Sequence, residues 1–303
     1  MSQARAVGLI GVGLLGQALA QRLIGAGFAV AGFDVDAAKN ARLAALGGAP
    51  AGSVAELARR CDPIVLAVFT TDQVEDVVER QLNPAAGEGA GRIVFVASTC
   101  DPDRIAALAQ RVRPRGLRLL ETPVSGSSGQ VARGEGVGLI GGDAEVVAEV
   151  EPVLRALFPT FFHIGKAGDG GRAKLAINLI LGLNRLALAE GLVFAERLGL
   201  DAAAFLKVAR ASACYSQVMD VKGAKMIGRD FAPEGRVTQH LKDVHLILEQ
   251  AGHKGQQLPL LNVHADVLEA CVRAGEGDFD NCAVIEEIRR RTQSRSRNKR
   301  ASP

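Results

Sequence analysis

The stretch GVGLLG at 11–16 is the part of this sequence whose chemistry reads most directly. It follows a short apolar run of strand character at 5–10 and opens a helical run to Ile24; a second strand at 28–33 leads into Asp34. A lone GxGxxG is weak evidence. A strand before it, a helix after it and an acid about 20 residues further on form the context of a dinucleotide-binding fingerprint. Gly11 permits the tight turn, Gly13 lets the backbone approach a pyrophosphate, and Gly16 lets helix and strand pack closely. Val12, Leu14 and Leu15 complete the loop, whose amides and positive helix-dipole end suit phosphate. Asp34 can accept hydrogen bonds from the adenosine ribose, which favours NAD over its 2′-phosphorylated relative. A glycine-rich turn in some other α/β protein is the structural alternative.

A second pair of residues stands far from that loop. Lys174 and Asn178 lie four positions apart in a run without proline, 172–198, dominated by good helix formers. Their spacing puts them on one face of a helix of roughly 26 residues, about 40 Å long. Leu175, Ile177, Leu179, Ile180, Leu181, Leu183, Leu186 and Leu188 surround most of the axis, which predicts burial on several sides. A buried ammonium with an amide beside it needs a reason, because desolvating it is expensive. A core helix with a snorkelling lysine is one such reason. A membrane span is disfavoured, since Asn178, Asn184, Arg185 and Glu190 interrupt the apolar run.

The elements that must position these residues follow a doubly wound α/β pattern. Apolar runs at 63–68 and 92–97 suit parallel strands buried on both faces. Helical stretches follow at 73–80 and 104–112. In open α/β sheets ligands sit outside the carboxyl ends of the strands, so Thr70, Thr71, Ser98 and Thr99 line the expected crevice. Each could equally cap a helix. A further strand at 117–121 runs into TPVSGSSG at 122–129. That loop of small residues, including Ser125, Gly126 and Ser127, offers backbone amides suited to a carboxylate.

Composition narrows the class. The 303 residues are 48% hydrophobic and 23% charged, as in a soluble globular protein of two domains. The net charge of +3 misleads: 289–303 holds seven Lys/Arg and no acid, leaving 29 basic against 33 acidic residues elsewhere. The body is therefore no nucleic-acid surface by charge, and the tail reads as a disordered, solvated terminus. Five cysteines without a CxxC pair, and no apparent signal peptide, point to a reducing cytoplasm. The five histidines lack HExxH or Cys/His spacing, so no metal site is expected.

Taken in order, GVGLLG (11–16), STCDP (98–102), TPVSGSSG (122–129) and GKAGDGGRAKLAIN (165–178) resemble the β-hydroxyacid dehydrogenases of the 3-hydroxyisobutyrate and tartronate-semialdehyde reductase type, related to 6-phosphogluconate dehydrogenase. Leu241-Lys242-Asp243 and GDFDNCAV (277–284) extend the resemblance to about 5–288. It implies that Lys174 is the catalytic general acid/base and that Asn178 helps hold it and the substrate hydroxyl. Ser125 and Gly126, with Ser127 beside them, would bind the substrate carboxylate. Thr99 would lie by the nicotinamide, and Lys242 would close over the cofactor from the second domain. Phe69-Thr70 replaces the family's usual Leu-Pro, Leu15 its methionine, Ile177 the first of paired asparagines, and Ser127 a glycine. Hydride leaving an alcohol carbon requires removal of the hydroxyl proton, and the reverse reaction must supply it. A desolvated lysine with a pKa lowered toward about 7–8 serves both directions, and its ammonium stabilises a nascent alkoxide. Imine reductases are similar in architecture but lack that lysine.

Beyond the long helix, 199–288 reads as all-helical, with Asp201 capping a run to Ala209 and further helices at 239–251 and 259–274. The expected architecture is a Rossmann doubly wound parallel sheet at 1–165, an all-α substrate and dimerisation domain at 166–288, and a basic tail at 289–303. The expected function is NAD-dependent oxidoreduction of a small β-hydroxy acid or its semialdehyde by a cytoplasmic homodimer or homotetramer that uses neither membrane nor specific nucleic acid. A catalytically inactive NAD(P)-binding module with a polyanion-binding tail is the alternative.

Overall fold

The computed structural model describes residues 6–82 and 91–292. Strand β1 (Ala6–Ile10) leads through the glycine loop into helix α1 (Leu14–Gly25), then β2 (Val30–Phe33), α2 (Ala37–Ala45) and β3 (Ala49–Pro50). Next come α3 (Val54–Arg60), β4 (Cys61–Leu66) and α4 (Thr71–Asp76), which runs on as a π-helical segment, Val77–Leu82. After β5 (Arg92–Val96) follow α5 (Pro102–Val112) and β6 (Leu117–Glu121). The sequence of these strands in space, β3-β2-β1-β4-β5-β6, is that of a Rossmann sheet, parallel throughout. The order reverses between β1 and β4, the position at which such sheets open a ligand crevice.

Past β6 the sheet becomes mixed. Short β7 (Val124–Ser125) and helix α6 (Ser128–Ala132) precede β8 (Val137–Gly141), which is antiparallel to both β6 and β7. Helices α7 (Ala144–Glu149) and α8 (Glu151–Leu157) then lead to β9 (Thr160–Gly165), parallel to β8. Strands β8 and β9 were not expected from the apolar runs, because glycines interrupt β8 and β9 is largely exposed.

Alternate strand residues feed two cores, as the pleat requires. Leu9, Val65 and Phe95 join Leu19, Leu23, Leu154 and Phe158 on one face. Ile10, Ile64, Leu66 and Val94 join Leu57, Ile105 and Leu108 on the other. Both faces are apolar, which accounts for the apolar runs 63–66 in β4 and 93–96 in β5.

The remainder is helical: α9 (Asp169–Arg197), α10 (Ala202–Ala211), α11 (Gln217–Gly228), α12 (Val237–His253), α13 (Pro259–Arg273) and α14 (Val284–Arg290). Helix α9 has 29 residues, starting three positions earlier than helix propensity alone indicates. By length and apolarity it could cross a membrane, but it carries Lys174, Asn178 and Arg185 as buried side chains, the pattern of a core helix. The chain divides into two compact units with boundaries inside α9, inside α12 and in the loop before α13. One comprises the residues up to Ile180 with Lys242–Gln257; the other comprises Leu181–Leu241 and the residues from Leu258.

In the second unit, Gly223 of α11 is where α10 lands: a Cβ there would stand 2.7 Å from Leu206 Cδ2. The basic run at 289–291 is not a solvated tail. Arg289 pairs with Glu196 and Glu286, Arg290 with Glu276 and Glu287, and Arg291 with Glu287, so carboxylates at helical spacing, one from α9 and one from the loop after α13 fix the start of that run. The rest of the expected tail, 293–303, lies outside the described residues.

Candidate active site

The glycine loop has the geometry its spacing implies. Gly11 sits at φ +88°, and a Cβ there would stand 2.6 Å from the Ala67 carbonyl oxygen. At Gly16 a Cβ would meet the Gly11 oxygen at 2.1 Å, so only glycine lets α1 approach the loop this closely. Gly13 differs from both: nothing lies within 4 Å of a Cβ built there, and no side chain caps α1 at that residue. The open backbone at Gly13 and the uncapped first turn, spanning Leu14, Leu15 and Gly16, fit a pyrophosphate.

Asp34 is more engaged than its sequence position indicates. Its carboxylate accepts the Val12 amide at 2.8 Å and the Asp36 amide at 3.0 Å, and Lys39 Nζ lies at 3.3 Å. Asn40 clasps its backbone from both sides, donating to the Asp34 carbonyl and accepting from its amide. The acid thus ties the end of β2 to the glycine loop. A carboxylate has about four acceptor positions, so capacity for ribose hydroxyls is left over.

At the carboxyl ends of β4 and β5, three of the four candidate hydroxyls serve the fold. Thr70 caps α4 in a reciprocal box with Gln73, whose side chain also accepts the Phe69 amide. Thr71 Oγ1 accepts the Asp101 amide, and Ser98 Oγ donates to the Val68 carbonyl. Thr70 thus has the capping role that competes with cofactor contact, while Thr71 and Ser98 tie neighbouring loops at the crevice together. Phe69, Thr99 and Lys242 are brought together. Lys242 Nζ donates to the Thr99 carbonyl at 2.6 Å, pairs with Asp243 at 2.9 Å, and stands 5.5 Å from the centre of the Phe69 ring. Lys242 belongs to the same compact unit as Thr99, not to a second domain.

The loop after β6 is only partly free. Gly126 takes φ +138°. Ser127 caps α6, with its hydroxyl accepting the Gln130 amide and its own amide donating to Gln130 Oε1. The expectation that Ser127 offers a free amide therefore fails, because a capping box consumes it. Ser125 and Gly126 take no part in that box.

On α9, Lys174 is 7% exposed and Asn178 5%. The structure adds a partner for Asn178: its Nδ2 donates to Asp243 Oδ2 at 2.9 Å. Asp243, buried on α12, thus joins Asn178 to Lys242 and through it to Thr99. Asp243 sits in the Leu241-Lys242-Asp243 motif, and its place beside a candidate lysine was the one signal of its role that the sequence carried. Glu121 was also missed. It is buried at the end of β6; burial pushes its carboxyl up to about 7 despite amide donors at Gly168 and Gly171.

A Rossmann sheet with an open phosphate loop, and a buried lysine and amide on a long following helix, define a dinucleotide-dependent oxidoreductase. Comparison with known proteins carries this further. Residues 6–165 match the family model of the NAD binding domain of 6-phosphogluconate dehydrogenase, and 168–288 that of the NAD-binding region of NADP-dependent 3-hydroxyisobutyrate dehydrogenase. The L-threonate dehydrogenase of Cupriavidus necator is 33% identical over 93% of this chain and 95% of its own. The 2-hydroxy-3-oxopropionate reductase of Escherichia coli is 27% identical over 93% and 96%. A solved 3-hydroxyisobutyrate dehydrogenase from Salmonella typhimurium superposes with a TM-score of 0.85 at 27% identity, covering 93% of this chain and 99% of that one. The chain belongs to the β-hydroxyacid dehydrogenase family of the 3-hydroxyisobutyrate dehydrogenase type, NAD(P)-dependent oxidoreductases acting on CH–OH donors.

Proposed function

We propose that this chain transfers hydride between NAD(H) and the CH–OH or carbonyl carbon of a small β-hydroxy acid or its semialdehyde. The nicotinamide, when bound, supplies or takes the hydride. The protein's own work is to bind, orient and move the proton. Amides from Gly13 to Gly16, where the loop enters the first turn of α1, hold the pyrophosphate, and Asp34 accepts from the ribose, which favours NAD. Ser125 and Gly126 take the substrate carboxylate. Lys174 Nζ removes the hydroxyl proton in oxidation and returns it in reduction. Asn178, its amide nitrogen anchored on Asp243, presents its carbonyl oxygen toward the reacting hydroxyl and the lysine head. Lys242, Thr99 and Phe69 close the nicotinamide side.

The observation that carries this reading is the pairing of a 7%-exposed lysine with an amide one turn away that is itself fixed by a buried acid. Support for a hydroxy-acid substrate comes from relatives named for L-threonate, 2-hydroxy-3-oxopropionate and 2-(hydroxymethyl)glutarate. Exposed Phe194, Leu198, Leu200 and Val208 in the helical unit support self-association as a dimer or tetramer. All five cysteines are free thiols, in keeping with a reducing cytoplasm.

The test is turnover of each coenzyme against tartronate semialdehyde, succinic semialdehyde, glyoxylate, 3-hydroxyisobutyrate and threonate. Turnover of at least one, with a higher kcat/KM for the NAD couple, is expected. Tight coenzyme binding with no turnover of any would overturn the reading in favour of an inactive binding module.

A further inference from the structure

Glu121 ends β6 at the one register position, Glu121↔Gly141, where the parallel sheet meets antiparallel β8. Its side chain is 3% exposed and faces the opening turn of α9. Oε2 accepts the Gly168 amide, and the carboxylate also takes the Gly171 amide. Glycines make this approach possible. A Cβ on Gly171 would stand 2.7 Å from Glu121 Oε1, and one on Gly141 would stand 2.6 Å from Oε2. On Gly170 it would meet the Leu139 carbonyl oxygen at 2.7 Å. The glycine density of GKAGDGG thus has a physical cause: the backbone at the start of α9 lies directly on the sheet edge and on this carboxylate.

We propose that Glu121 is a positioning residue that clamps the first turn of α9 and thereby sets the place of the Lys174 amine. Gly171 lies just under one helical turn before Lys174, and the loop bearing Ser125 and Gly126 begins at the residue after Glu121. One carboxylate therefore fixes the acid/base helix to the strand that launches the carboxylate-binding loop. Arg172 adds a second tie, pairing with Asp103 at the start of α5 and with Asp169. The inference rests on Lys174 being the acid/base of the proposed reaction.

The carboxylate form accepts from both amides, whereas the protonated acid turns one oxygen into a donor facing amide N–H groups. Charged and titratable groups reaching Glu121 are Arg172 and Asp169 on α9 and the Cys100 thiol from the loop after β5. Burial outweighs the two amides and Arg172, so the group titrates near 7 rather than in the usual carboxylate range. The clamp should loosen as pH falls through that region.

The experiment uses Glu121→Gln in the full chain, with a substrate the wild type turns over. Glutamine keeps the shape but sets an NH₂ against one of the amides. The expected result is a loss of about 10- to 100-fold in kcat, the scale of a misplaced catalytic group, with coenzyme affinity within about threefold. The acid limb of the wild-type kcat profile should lose the step that Glu121 contributes near pH 7 and keep only that of Lys174. Gly171→Ala, which pushes the helix off the carboxylate from the other side, should lose kcat to a similar degree. Wild-type kcat and an unchanged pH profile in both variants would overturn the inference. So would a proportional fall in kcat and coenzyme affinity, which marks general damage. Failure of the proposed function is distinguishable: the wild type itself would then turn over nothing, and the clamp would have no reaction to serve.

Discussion

Glu121 and Asp280 are both buried carboxylates, 3% and 0% exposed, and they are held in opposite ways. In the helical unit, burial pushes the Asp280 carboxyl up, but Lys222 at 2.9 Å and the amides of Glu234 and Cys282 outweigh it, leaving the group below its ordinary range. In the nucleotide-binding unit, Glu121 meets amides and the more distant Arg172, and burial wins. An opposite charge in contact makes a permanent ion that staples α11 to the segment before α14. Dipoles alone leave a group poised between its two forms near neutral pH. The first arrangement suits a scaffold, the second a place where protons move.

That contrast can be broken by substitution. Asp280→Asn leaves the Lys222 ammonium, 5% exposed, facing mainly Glu234 at 3.3 Å. Removing one member of a buried pair costs roughly 3–5 kcal/mol, so denaturant unfolding should show a loss of that order. A loss under about 1 kcal/mol would show that Glu234 replaces Asp280 and that the staple is redundant.

The pH dependence sharpens the comparison. Asp280 has a lowered pKa, so its stabilisation is present above the ordinary carboxylate range and is lost as pH falls through its folded value. Glu121 has a raised pKa, from 4.5 to about 7. Its contribution is complete below the ordinary value and declines as pH rises through about 7, by about 3 kcal/mol at most. The stability of wild type relative to Glu121→Gln should therefore decline between about pH 5 and 8, as followed by urea unfolding. A difference that stays flat or grows over that interval would mean the carboxyl is stably ionised in the fold.

What the sequence disclosed and what it hid follow from the range of the physics involved. Gly11, Gly13 and Gly16 were legible because each answers a demand within the loop and the helix it opens: a positive φ, an open approach, a close contact. Lys174 and Asn178 were legible as a pair through helical spacing. Ser127 and Thr70 were not separable from ligand-binding residues, since a small hydroxyl at a loop end can cap a helix or meet a substrate with the same local sequence. Asp243 and Glu121 act on partners 65 and 47 residues away, Asn178 and Gly168, and no periodicity encodes that. Arg289 to Arg291 looked like the start of a charged tail because two of their carboxylate partners are remote, Glu196 on α9 and Glu276 in the loop after α13.

The central claim is that Lys174 moves the proton while the glycine loop holds the coenzyme. It is tested most directly by Lys174→Ala, with turnover and NADH binding measured side by side. The expected result is a fall of about 10³-fold in kcat, with the coenzyme dissociation constant within about tenfold of wild type. Turnover kept within tenfold, or coenzyme binding lost together with activity, would contradict it.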